Sequence, residues 1–174
     1  FADERFSADA VAPAVWVRAV ANLGILAGWS STPMSPERGQ EALAVARDLG
    51  DPALTVATLA ACGALAYYRP DVAQEYFTEA IGLARTSGNQ AELCGILAYL
   101  AVAMNIAGLP AASLRAANEG RDVADAIGDV FTSRHCRIWA GIALSMHGDV
   151  GTARPVLETV ADEAHTADQR MLKL

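Results

Sequence analysis

Apolar residues in this chain fall in runs of roughly 15 to 20 positions with no strand-like alternation, and a glycine- or proline-bearing break closes each run. One series of breaks comprises Gly28, Tyr68-Arg69-Pro70, Gly108-Leu109-Pro110 and Gly148-Asp149, so positions 28, 68, 108 and 148 are 40 apart. A second series falls between them at Gly50-Asp51, Gly88-Asn89 and Gly128-Asp129, with glycines 38 and 40 residues apart. Two interleaved series with one period mean two elements per repeat. The runs are too long for ordinary strands. The pattern predicts eight helices in four hairpins: 8–28 with 35–49, 52–68 with 70–87, 90–107 with 110–127, and 130–147 with 149–166. The repeats then cover about 8–50, 51–88, 89–128 and 129–168 of a single domain.

Each break has a local mechanism. A glycine after a helix can take the left-handed conformation that closes the C-terminus, and the Asp or Asn that follows can accept a backbone N–H of the next helix. Asp51-Pro52 and Ser35-Pro36 add proline at the first helical position, where its missing N–H costs nothing. Asn89 with Glu92 has capping-box spacing.

Charge sorts by helix. The first helices of the four hairpins carry two, none, one and two charged residues, and the second helices carry four or five. In a stacked array, that places the first helices in an inner layer and the second helices on a solvated back. Leu93 to Leu114 is uncharged over 22 residues, long enough for a membrane span by length alone. It contains Asn105 and the Gly108-Leu109-Pro110 break and stays in phase with the repeat, which favours a buried inner helix.

Composition agrees with helix and narrows function. The chain has 174 residues, 53% hydrophobic and 19% charged, with 37 alanines, the residue that loses least on entering a helix. A net charge of −7 repels phosphate backbones and disfavours direct nucleic-acid binding. Cys62, Cys94 and Cys136 are scattered without a C-x-x-C pair, which reads as reduced thiols in a cytoplasmic core. No charged stretch followed by an apolar one opens the sequence, as a signal peptide would require. A start at Phe1 and an end inside a helical pattern at Leu174 imply a piece of a longer protein.

The last repeat, with Gly141, Gly148-Asp149, Ala153, Leu157 and Val160, resembles the tetratricopeptide pattern of small and large residues at interhelical contacts. Ala73, Phe77 and Ala80 match it in the second repeat, and Leu100, Ala101 and Gly108 in the third. Ser113 and Ala117 depart from it, as do Ser35 and Gly39 in the first repeat. The resemblance implies an all-α, right-handed α-solenoid of about four tetratricopeptide-like helical hairpins. Long Ala-rich repeats ending in Ala-Arg-x-x-Gly-Asp further resemble the helical-repeat region of large bacterial LuxR-type transcription regulators, including the ATP-dependent class related to the maltose-regulon activator. That family sets such repeats between a nucleotide-binding ATPase domain and a C-terminal helix-turn-helix, and uses them to sense an inducer or hold the resting state. The sequence contains no G-x-x-x-x-G-K-[ST] loop and no basic recognition helix. No cofactor is expected in this segment, and ATP would belong to a neighbouring domain.

Catalytic patterns are weak. His135 and His147 are twelve apart, a poor fit to a helical metal pair, and His135-Cys136 are neighbours that point to different helix faces. Acidic pairs such as Asp162-Glu163 belong on solvated backs. The segment reads as non-enzymatic. The binding reading rests on the inner wall, taken in columns 40 residues apart: Arg18, Thr58, Ala98 and Ile138; Asn22, Cys62, Val102 and Ile142; Ile25, Leu65, Asn105 and Ser145; Val15, Thr55, Gly95 and His135. Arg18, Asn22, Thr58, Cys62, Tyr99, Asn105, His135 and Ser145 are the candidate groove residues. An apolar wall of that size calls for a cover: a protein or peptide, a small apolar inducer, or another domain of the same chain. Alternatively, a tight superhelix closes its own groove, with Asn22 and Asn105 serving only neighbouring backbone. Tyr67, Tyr68, Tyr76 and Phe77 are expected in the interhelical core. The leading function is a signal-sensing module of a transcription regulator, and the competing one a structural adaptor or oligomerisation scaffold.

Overall fold

The structure, a computed structural model, describes residues 12–30 and 34–171. Within them the chain is all-helical, with eight α-helices and no strand: α1 Pro13–Trp29, α2 Pro36–Asp48, α3 Pro52–Leu65, α4 Pro70–Ser87, α5 Gln90–Ile106, α6 Pro110–Ile127, α7 Val130–Met146 and α8 Val150–Met171. Residues 8–11 of the predicted first helix lie outside the described residues.

The helix ends follow the break chemistry. Asp51 accepts from the N–H groups of Ala53 and Leu54 at 2.9 and 3.2 Å. Asn89, Asp129 and Asp149 each accept from the N–H three residues on, at 3.0 to 3.2 Å. Gly88 and Gly128 close α4 and α6 with φ of 70° and 75°, and the next N–H groups reach Ala84 O and Ala124 O. A side chain at either glycine would strain that left-handed backbone. α3 ends at Leu65 rather than 68, because the residue before Pro70 is driven out of the helical region and Arg69 takes φ −127°, ψ 78°. Tyr68 therefore falls in a turn and is 89% exposed, not in the core with Tyr67 and Phe77. α8 runs past 166 to Met171 despite Pro155, which removes one donor from its first turns.

Packing is local. Consecutive helices touch, and α1 meets α3, α3 meets α5 and α5 meets α7; among the described residues no close backbone approach joins helices farther apart in the chain. The even helices reach one another through side chains: Arg47 with Glu79 at 2.6 Å, Gln40 Nε2 with Tyr76 OH at 3.3 Å, and Arg85 with Glu119. The charge sorting has a direct counterpart in burial. α3 and α5 are buried on nearly every face, whereas α4 and α6 bury a single stripe, Ala73, Phe77, Ala80 and Ala84 on α4. The uncharged stretch from Leu93 is α5 and the start of α6, split at Gly108. No described helix is long and apolar enough to cross a membrane.

Candidate functional site

Two adjoining cavities lie along the odd-numbered helices. The smaller, about 210 Å³, lies between α1, α3 and α5 and is lined by Arg18, Asn22, Ala57, Ala60, Glu92 and Ile96 among others. The larger, about 550 Å³, is walled by Leu26, Phe131, Arg134, His135, Ile138 and Val160. Ile25 and Tyr99 line both, so the two form one groove with Tyr99 at the junction.

The groove-facing residues recur every 39 positions. Arg18, Ala57, Ile96 and His135 form one column, and Ala21, Ala60, Tyr99 and Ile138 another. A step of 40 advances one residue per repeat, and each residue turns the helix by about 100°. The predicted columns therefore drift off the groove at the second and third repeats, except at Gly95, which lines the smaller cavity. Thr58 is fully buried, and its hydroxyl donates to Leu54 O within its own helix. Cys62 is 4% exposed, with its sulfur beside Gly39 of α2. Asn105 is 5% exposed and donates from Nδ2 to Trp139 O at 3.1 Å, tying α5 to α7. Ser145 donates to Gly141 O and lines neither cavity. The structure thus brings Arg18, Asn22, Tyr99 and His135 to the groove and places Thr58, Cys62, Asn105 and Ser145 elsewhere. Sequence reasoning missed Glu92, Ile96, Phe131 and Arg134. The available signal was the helical glycines, since Gly24, Gly63 and Gly141 keep the 39-residue step.

The groove's electrostatics divide along its length. At the α1 end, Arg18 faces Glu92; burial raises the Glu92 carboxyl above its ordinary value and Arg18 partly opposes the rise. At the junction, burial raises the Tyr99 phenol. At the α7 end, burial lowers the His135 imidazole, which keeps it neutral near pH 7. His135 lies 6.4 Å from the Phe131 ring and 6.3 Å edge-on from Trp139, giving α7 an aromatic ridge. Below it Arg137 forms a two-pronged pair with Glu163 at 2.7 and 2.8 Å, and Arg134 joins at 3.2 Å. The Arg137 bonds in turn hold the Glu163 carboxyl below its ordinary value. The larger cavity therefore suits an apolar or aromatic group, with His135 as a neutral hydrogen-bonding partner.

Reactive chemistry is poorly provided for. Burial raises the thiols of Cys62 to about 11 and Cys136 to about 12, so both stay protonated. His135 faces the groove while Cys136 is 0% exposed, so the adjacent pair does not act together. Among the described residues no group of three or more His, Cys, Asp or Glu could hold a metal ion.

No family model matches the chain. It is similar to two mycobacterial proteins whose names class them as helix-turn-helix-type transcriptional regulators. One is from Mycobacterium bovis and the other from Mycobacterium tuberculosis; each is 39% identical over 173 residues, or 95% of this chain. The chain spans 19% of the length of these relatives.

Proposed function

We propose that this chain is a non-catalytic sensing and interaction region of a LuxR-type bacterial transcription regulator, acting in the cytoplasm. One observation carries the reading: 39% identity across 95% of the chain to a 19% stretch of proteins named as helix-turn-helix-type regulators. Two features support it. The net charge of −7 argues that DNA contact belongs to another part of such a protein. The odd-helix contacts and 39-residue recurrence fit a right-handed solenoid of about four tetratricopeptide-like hairpins, with the groove on its inner wall.

In this proposal a small apolar inducer or an apolar peptide enters at Tyr99, Phe131 and His135. Binding favours one curvature of the stack and so changes its contacts with the ATPase or DNA-binding parts. That mechanism requires different affinities for the two states.

The test uses the full-length gene product and a transcription reporter. Tyr99→Ala and His135→Ala should abolish or lock the response while leaving DNA binding intact, and the isolated segment should not retard DNA. A full-length sequence lacking a helix-turn-helix would refute the regulator reading. Normal induction in both variants would refute the groove and leave a scaffold that docks proteins constitutively.

A further inference from the structure

In the 39-residue register three columns of the odd helices are buried or half-buried on α3, α5 and α7 but bare on α1. Val15 is 57% exposed, whereas its counterparts Leu54 and Leu93 are 4% and 5%. Leu23 is 45% exposed, against 4%, 0% and 7% for Cys62, Ala101 and Ala140. Leu26 is 61% exposed; Leu65 is half-buried in its place, and Met104 and Ala143 are 2% and 1%. On α3 the cover is the preceding helix pair. Leu54 joins Trp16, Val17, Val20, Ala42 and Ala46 of α1 and α2, and Cys62 and Leu65 pack beside Gly39 of α2. No preceding pair covers α1 among the described residues.

The even helices give a second, independent observation. In the ladder Arg47–Glu79 and Arg85–Glu119, the earlier helix supplies the arginine and the later one the glutamate. Glu41 holds on α2 the place of Glu79 on α4: each immediately precedes a fully buried alanine, Ala42 or Ala80, with another four residues on, Ala46 or Ala84. Glu41 is exposed and forms no ion pair among the described residues. A terminal capping repeat has a polar outer face, which α1 lacks.

We infer that α1 and α2 form a docking surface for one more helical hairpin of the same register. Its first helix is apolar and covers Val15 and Leu23; its second presents an arginine to Glu41. The occupant is a hairpin of the same polypeptide, placed on the N-terminal side of α1 because on α3 it is the preceding pair that gives the cover; four-fifths of each relative's length lies outside the part this chain matches.

Maleimide labelling of Val15→Cys and Leu23→Cys tests this, in the 174-residue chain and in the full-length gene product. The buried native cysteines provide a slow background. The expected result is rapid labelling of the short chain, at least tenfold slower labelling of the full-length protein, and equal rates in urea. Glu41→Arg in the full-length protein should return the Leu23→Cys rate toward that of the short chain. Equal native rates in the two proteins would overturn the inference. So would protection of the short chain at high dilution, which assigns the cover to residues before α1, or concentration-dependent protection, which assigns it to a second copy.

Discussion

Gly63 offers a sharp test of how α3 and α4 interlock. A β-carbon there would stand 2.6 to 2.9 Å from three atoms of the Phe77 ring, closer than real contacts allow. Phe77 is 0% exposed, with the Tyr67 ring 6.2 Å away, so it has little room to retreat. Gly63→Ala thus sets overpacking of about 1–3 kcal/mol against a helix-propensity gain of about 1 kcal/mol. The net expectation is a loss of about 1 kcal/mol, lowering Tm by roughly 2–4 °C for a domain of this size. Gly82→Ala on α4 is the contrast, because nothing lies within 4 Å of its added carbon. There the propensity gain stands alone, and about 0.5–1 kcal/mol of stabilisation is expected. Urea unfolding followed by far-UV circular dichroism reads both, with m-values compared to check that cooperativity is unchanged. A cycle with Phe77→Leu isolates the clash. The double variant should be less destabilised than the sum of the singles, by about 0.5 kcal/mol or more. A Gly63→Ala protein as stable as the parent, or strict additivity with Phe77→Leu, would refute the close-approach argument.

Three further outcomes follow from individual side chains. Asp129 caps α7 through both oxygens, to Thr132 N at 3.0 Å and Thr132 Oγ1 at 2.7 Å. Asp129→Ala should cost about 1 kcal/mol in urea titrations and Asp129→Asn clearly less. Those same bonds hold its carboxyl low, so the contribution should be present above the ordinary carboxylate range and fade as pH falls through the folded value. Asn105→Ala removes the α5–α7 tie to Trp139 O and should cost about 1 kcal/mol by the same measurement, an effect on stability rather than on the groove. Because burial lowers His135, the unfolded chain binds the proton more readily, and stability should fall as pH drops below the ordinary value of 6.5. His135→Phe should flatten that part of the stability–pH curve, and an unchanged curve would show that His135 contributes nothing to it.

The helix count, most helix ends and the sorting of charge onto alternate helices were set by the sequence alone, because each is decided within a few residues. A glycine past the last turn, an Asp or Asn before the first, and Pro52, Pro70 and Pro110 act through backbone angles and hydrogen bonds needing no distant partner. Which side chains meet across helices was decided by the tertiary structure. Break positions carry turn residues as well as helix, so their 40-residue spacing does not report the rotational phase of the helices between them. One residue of error turns a helix by about 100°. That error moved Thr58 and Ala98 into buried contacts, while three accumulated steps brought Ile138 back to the groove face. Tyr68 was placed by Pro70 rather than by its own apolarity. The bare columns of α1 are apolar like those of α3, and only the packed arrangement distinguishes a covered face from one left open.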